Sequence, residues 1–352
     1  FTANYATTNN LQQIINLRRF GSRITWTVGI VLLILLILFR NVVADVFQLS
    51  SGDLLIPVAI AIPFFISLGT DRGILQGLNR YYWLSSAYTS EGVIRLVVSI
   101  VLGYALLSYG RALDGTVLGL AQAMFITWFV SWIALRLLKK PEADSQIEPT
   151  DQSEWLSLTG AMMIALLGQA LITNSDFLLV KNFFDPTNAG QYAAVTVLGR
   201  IAYFGALPLT ILVVPMVAKQ QALGESTRRS FFMLMGGGIS LCVFLLFIAT
   251  FFAPTILGVL YGEAYLPAST LLPLYTLAAS LFVLTNLMVT YQIALGKGSE
   301  TILPLIAGIL QFVGIIVFHN TLTEVLIVQI VLMSLLLISV AFRVVRGVLI
   351  TA

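Results

Sequence analysis

The sequence predicts an all-α polytopic membrane protein with about ten transmembrane helices, and three observations lead there. Apolar residues make up 58% of 352 positions. Charged residues make up only 10%, against about 25% in soluble domains. The apolar residues run in long uncharged stretches rather than in period-two alternation, which selects helices over barrel strands. A single cysteine, Cys242, excludes a disulfide scaffold and reads as a small core or lipid-facing residue.

A window of about 19 residues places the spans near 24–39, 54–70, 84–109, 116–137, 156–180, 190–217, 230–252, 268–293, 301–318 and 322–342. Between the fourth and fifth spans the chain reads KKPEADSQIEPTDQSEW, two prolines and five acidic residues without an apolar run. It reads as a flexible linker. The expected organisation is an N-terminal lobe over 1–138, a cytoplasmic linker over 139–155 and a C-terminal lobe over 156–352. A weak internal repeat relates the segment Ile56–Leu102 to the segment Leu272–Phe318, with Gly77 matched to Gly296 at short basic turns. Spans one to four then pair with seven to ten. Because spans five and six have no partners, two further spans are expected upstream. The chain opens on Phe1 and a polar stretch with no signal-peptide pattern, in keeping with that expectation.

Basic residues set the orientation, because cytoplasmic loops collect Lys and Arg. With the N-terminal segment inside, the inner segments hold Arg18, Arg19, Arg23, Arg72, Arg80, Arg136, Lys139, Lys140, Lys219, Arg228, Arg229, Lys297, Arg343 and Arg346. The outer segments hold Arg40, Arg111 and Lys181, while Arg95 and Arg200 fall within spans. Both visible ends are therefore expected in the cytoplasm. Trp26, Trp83, Trp132 and Trp155, with Tyr81 and Tyr82, fall near the inner span ends, where amphipathic rings favour the headgroup level.

Several classes of activity find no support in the sequence. The longest outer segment, Phe252 to Pro267, cannot house a soluble catalytic domain. No phosphate-cradling GxxxxGK[ST], HExxH or CxxC pattern occurs. With His319 and Cys242 each alone of its kind, neither a transition-metal site nor another cofactor is expected. Scattered loop cations argue against nucleic-acid binding. His319 reads as an interfacial residue at an outer span end.

Ionisable groups inside spans carry the functional reading. Each costs about 2.5–3.5 kcal/mol on insertion scales, so it faces the bundle interior or a wet cavity. Four stand out: Glu91, Arg95, Asp176 and Arg200. At about 1.5 Å rise per residue, Arg95 and Arg200 both lie about 15 Å into a core about 30 Å thick, one in each lobe. Glu91 and Arg95 are spaced i,i+4 and fit an ion pair on one helix face. Arg200 has no acidic residue three or four positions away, so it needs a partner from another helix, a cavity or an anionic ligand. Asp176 sits toward the outer end of its span, where it either reaches the interface or serves the same cavity. A guanidinium stays charged and offers a planar fork of donors suited to phosphate oxygens. Arg95 and Arg200 on opposing lobes are thus candidates to hold a diphosphate, with Glu91 tuning Arg95. Pro63, Pro208, Pro215, Pro273 and Pro304 allow kinks, and Gly236, Gly237 and Gly238 allow close helix approach.

Three stretches resemble the multidrug/oligosaccharidyl-lipid/polysaccharide (MOP) exporter superfamily, especially its polysaccharide-biosynthesis, O-antigen flippase-like branch. They are ILQGLNRYYWLSSAYTSEGVIRLVVSIVLG from Ile74 to Gly103, DFLLVKNFFDPTNAGQYAAVTVLGRIAYF from Asp176 to Phe204, and APTILGVLYGEAYLPASTLLPL from Ala253 to Leu274. Their order and spacing extend over nearly the whole chain. The resemblance implies a two-lobe bundle of six plus six helices, here truncated at the N-terminus by the first two. It implies a flippase that moves a polyprenyl-diphosphate-linked oligosaccharide across a prokaryotic inner membrane by alternating access, with Arg95 in the fifth family span and Arg200 in the eighth. Such a protein would be a monomer among membrane lipid, served by glycosyltransferases of the same pathway. The alternatives are a cation-coupled multidrug exporter of the same superfamily, which would favour carboxylates such as Glu91 and Asp176, and a membrane glycosyltransferase or ligase. The last needs an acid/base pair at a membrane face that this chain does not offer, so the expectation is a transporter rather than an enzyme.

Overall fold

The computed structural model describes residues 2, 5, 11–46, 51–78, 80–107, 112–136, 152–296 and 302–350. Phe1, Arg111, Lys139, Lys140 and Lys297 lie outside the described residues. So do the side chains of Arg136, Trp155, Lys219 and Arg346 and the expected linker up to position 151. Among the described residues the structure is helical, with no strand. Nine helices are long and apolar enough to cross a membrane, and a tenth, shorter apolar helix covers Ile302–Val317. These ten segments coincide with the ten expected spans. Two compact units emerge, Phe1–Thr150 and Asp151–Ala352.

The first unit contains α1 (Leu11–Leu38), the short α2 (Arg40–Val46), α3 (Leu55–Gly77), α4 (Tyr81–Ala105) and α5 (Ala112–Arg136). Helix α3 packs on α1 and α5, and α5 on α4. Small residues make these approaches close, as is common where lipid tails supply no hydrophobic drive. A Cβ on Gly29 would lie 2.6 Å from the Pro63 Cα, and one on Gly119 would lie 2.5 Å from the Ser99 Cα. Two helix ends differ from expectation. Helix α1 starts at Leu11 rather than near 24, because the polar segment before the apolar run is itself amphipathic. Its Ile14 is buried against Ile74, Leu75 and Leu84. Helix α3 runs on from 70 to Gly77, which brings Asp71 and Arg72 inside the helix.

In the second unit, α6 (Gln152–Phe183) begins within the last residues of the expected linker. Helix α7 (Pro186–Gly199) starts with Asp185 as its cap: the carboxylate accepts from the Asn188 N–H at 3.1 Å, and Pro186 occupies the first turn, where its missing donor costs nothing. Helices α8 (Ile201–Ala222) and α9 (Arg228–Phe251) follow. The expected outer hairpin is helical as well: α10 (Ala253–Tyr261) and a 3₁₀ stretch over Glu263–Thr270, joined at Gly262 with φ +89°. Then come α11 (Leu271–Ala294), α12 (Ile302–Val317) and α13 (Leu322–Ile350).

Helix α11 is the central column. Sixty-one per cent of its apolar window is buried, against 6% for α1, and it contacts α7, α8, α9 and α13. Helix α12 packs on α6 through glycines on both sides. A Cβ on Gly168 would overlap the backbone of Pro304 and Leu305, and one on Gly308 would lie 2.8 Å from Leu171 Cβ. Hydroxyls inside spans bond back to their own helix, as with Thr276 to the Leu272 carbonyl at 2.8 Å and Thr285 to that of Leu281 at 2.9 Å. These hydroxyls are thereby satisfied without water.

Two sequence expectations change in detail. Of the three consecutive glycines only Gly238 sits at a tight contact, where an added Cβ would lie 2.6 Å from Leu287 Cδ1. The repeat turns also differ: Gly296 adopts φ +76°, whereas Gly77 ends α3 in helical conformation. The two positions match in sequence without sharing a backbone solution.

Replacing Gly168 with Val is expected to destabilise the second unit by about 1–3 kcal/mol, the usual cost of overpacking. Gly236→Ala, at a site with no atom within 4 Å of the added carbon, should leave the thermal midpoint of the detergent-solubilised protein unchanged. Equal midpoints for the two variants would contradict the packing described.

Candidate functional site

Arg200 lies where α7 hands over to α8. The regular helix pauses at this residue, although its N–H still bonds the Thr196 carbonyl at 3.0 Å. The side chain reaches α6, where Nη2 donates to the Thr173 carbonyl, and α11, where Nε donates to the Tyr275 hydroxyl at 3.4 Å. Nη1 has no protein partner among the described residues. Gly199 makes this arrangement fit, because a Cβ there would collide with the Tyr275 ring. Thr173, Arg200, Tyr203, Tyr275, Gln311 and Gln329 contribute to the lining of a cavity of about 170 Å³ that opens to the outside of the unit.

Asp176 is not at an interface. It is 1% exposed and takes a hydrogen bond from the Tyr192 hydroxyl at 3.0 Å. Gln329 in turn donates to Tyr192 at 2.9 Å, and the Tyr192 and Tyr275 rings meet edge to face at 6.1 Å. The other carboxylate oxygen, Oδ1, is buried without a hydrogen-bond partner. Among the described residues no ion pair joins Asp176 to Arg200. Their charges interact across the intervening tyrosine hydroxyls. One turn away on α6, Ser175 and the Ile172 carbonyl accept from Gln311 at 3.2 and 2.8 Å. The second unit therefore holds a cluster of polar side chains between Asp176 and Arg200, of which Arg200, Tyr275, Gln311 and Gln329 line the cavity while Asp176 and Tyr192 do not.

In the first unit, Glu91 and Arg95 form the expected i,i+4 pair at 2.5 Å. Glu91 is shared: its other oxygen takes Arg72 Nη2 from α3, also at 2.5 Å. The Arg72 guanidinium lies 4.3 Å from the centre of the Tyr88 ring, a cation–π geometry. Two arginines and one carboxylate leave a net charge of +1. The Arg95 side chain is the exposed member at 44%, while Arg72 and Glu91 are 12% and 13% exposed. Arg95 thus differs from Arg200 in kind, being neutralised in part on its own helix. His319, just beyond α12, stacks on Phe183 at the end of α6 with ring centroids 4.1 Å apart.

Sequence reasoning missed the partners rather than the charges. Arg72 was hidden because the apolar window stopped short of it. Gln311 and Gln329 did carry a signal, as amides within two of the most apolar stretches of the chain. Tyr192 and Tyr275 carried none, since tyrosines in spans usually mark interfaces. Removing the Tyr192 hydroxyl (Tyr192→Phe) leaves a buried carboxylate without a donor and should cost about 1–3 kcal/mol. Tyr275→Phe, which loses only a long bond, should cost less. Chemical denaturation monitored by circular dichroism would read this ordering.

Known proteins narrow the reading. The fold resembles an inward-facing multidrug resistance MATE family transporter of the MOP superfamily, at TM-score 0.72 and 13% identity, covering 100% of this chain and 85% of that one. It also resembles the lipid II flippase MurJ in an inward closed conformation, at TM-score 0.63 and 16% identity, over 94% of this chain and 74% of that one. A third likeness is to a MOP superfamily transporter from Pyrococcus furiosus, at TM-score 0.63 and 13% identity, covering 97% and 84%. No curated protein sequence matches the chain. Residues 22–221 match the family described as polysaccharide biosynthesis protein. With more than half of its length inside that match, the chain belongs to the polysaccharide biosynthesis protein family, and its fold is like that of the MOP superfamily transporters above.

Proposed function

We propose that the protein is a flippase for a polyprenyl-diphosphate-linked oligosaccharide, working by alternating access in the inner membrane with both visible ends in the cytoplasm. The observation that carries this reading is Arg200: a guanidinium on a helix junction, facing a cavity, with no carboxylate bonded to it and one nitrogen free of protein partners among the described residues. In a low-dielectric wall such a group binds an anionic phosphate far more strongly than it would in water. Arg95, half-exposed beside the Arg72–Glu91 pair, is the proposed second contact, with Glu91 holding its orientation. Asp176 acts on the substrate only through Tyr192 and Tyr275, not by direct contact. Glycosyltransferases would supply the lipid-linked sugar, and a single copy of the chain would suffice.

The test is translocation of a labelled lipid-linked oligosaccharide in proteoliposomes. Arg200→Ala should insert normally and lose nearly all translocation, while Arg200→Lys, which keeps charge but not the planar fork, should retain part. Wild-type rates in Arg200→Ala would remove the site assignment. The purified protein should leave the labelled lipid chemically intact, as a transporter and not a glycosyltransferase or ligase would.

The MATE likeness supports a second reading, cation-coupled export of drugs. It predicts an acidic cavity, whereas Asp176 is sealed away and the cavity carries Arg200. Expression in a pump-deficient host should leave susceptibility to cationic drugs unchanged; a drop in susceptibility would favour this second reading.

A further inference from the structure

The first unit contains a larger cavity that the Arg200 assignment does not touch. Its volume is about 560 Å³, and it is walled by α1, α3 and α5. Along α1 the residues that face it follow helical spacing: Arg18, Arg19, Ser22, Arg23 and Trp26. Three arginines on one stripe of a membrane helix repel one another, so the stripe is unfavourable without an anion. Among the described residues the cavity lining supplies one, Asp71 of α3, which is 6% exposed and holds Arg18 at 3.5 Å. The guanidiniums of Arg19 and Arg23 have no protein partner among the described residues, and the two residues are exposed. The cavity keeps an excess of two positive charges.

Its walls and floor are aromatic. Trp128 and Trp132 stack at 6.4 Å with planes 29° apart. Trp128 and Trp26 also pack on Phe64, at 5.1 and 5.2 Å, and Phe125 closes on Phe64 at 4.6 Å. Deeper still, the Gly29–Pro63 crossing brings α1 and α3 together. The basic mouth lies just before the apolar run that begins at Ile24, so it sits at headgroup depth and ends blindly on the aromatic plug. Such a cup has donors for phosphate oxygens at its rim and indole faces at the level where amphipathic rings settle.

We propose that this cup is an anion site for the phosphate or diphosphate headgroup of a membrane amphiphile, with Arg19 and Arg23 as the binding donors and Arg18 held in place by Asp71. It stands independently of the flippase reading, because it uses another unit, other residues and another cavity.

Binding is read from tryptophan emission of the full chain in phosphatidylcholine nanodiscs, since Trp26, Trp128 and Trp132 line the cup. The probes are farnesyl diphosphate, inorganic diphosphate and increasing fractions of phosphatidylglycerol. Wild type should respond saturably to at least one of the two amphiphiles, more weakly as salt rises. The double variant Arg19→Gln/Arg23→Gln should lose about tenfold or more in apparent affinity, while Arg229→Gln, an exposed arginine outside both cavities, should bind as wild type. A response to inorganic diphosphate alone identifies a free-phosphate site and overturns the membrane-amphiphile assignment. A response to farnesyl diphosphate alone identifies a lipid diphosphate, and one to phosphatidylglycerol identifies bulk lipid; each supports the headgroup assignment. Should the double variant not fold, the single variants Arg19→Gln and Arg23→Gln must each weaken binding. Unchanged affinity in the folded variants, or no saturable response of wild type to any probe, would overturn the proposal.

Discussion

A guanidinium placed in a membrane helix keeps its charge, so the fold around it must either supply acceptors or leave it open to an anion from outside. The protein meets this requirement in three ways. Arg72 and Arg95 share one carboxylate across two helices. Arg200 takes a backbone carbonyl and a tyrosine hydroxyl. Arg19 and Arg23 remain at the rim of an aromatic cup. Much of the helix packing near these groups is arranged to make the partners reachable. Gly199 clears space for Tyr275, and the glycine-lined contact of α6 with α12 brings Gln311 to Ser175.

The consequence for function lies in the contrast between Arg95 and Arg200. A shared carboxylate lowers the net charge an anion would meet at Arg95, whereas the neutral partners of Arg200 leave its charge whole. Asp176, enclosed behind two tyrosines, is separated from the cavity yet joined to it by that polar cluster. Similarity to drug exporters and to a lipid II flippase shows that one helical scaffold underlies transporters of quite different cargo, so the cavity chemistry and not the fold has to carry the choice.

Reading the chain as a string located the charges well and their neighbours poorly. Hydropathy windows respond to composition over about 19 residues, so they found the ten spans but ended α3 before Arg72 and started α1 after Ile14. The Glu91–Arg95 pair was legible because i,i+4 contacts are local. The contacts of Arg200 were not, because Thr173 and Tyr275 lie on other helices at sequence separations that carry no periodic signal. The depth estimate for Asp176 pointed to the interface, yet packing of α7 and α13 around it enclosed the side chain. Two turns matched as a repeat also took different backbone forms, since only Gly296 uses the left-handed region that glycine alone adopts freely.

What the sequence by itself determined is the solvent: 58% apolar residues with 10% charged belong in a bilayer, and there a backbone made of apolar runs has to close its hydrogen bonds as helices. It also determined which residues are too polar for that solvent. Tertiary structure alone decided what each of them does. In a medium with no water to substitute for a missing partner, whether a buried charge is neutralised, relayed or left available depends on which side chains other helices bring within about 3 Å, and that is set by packing rather than by order along the chain.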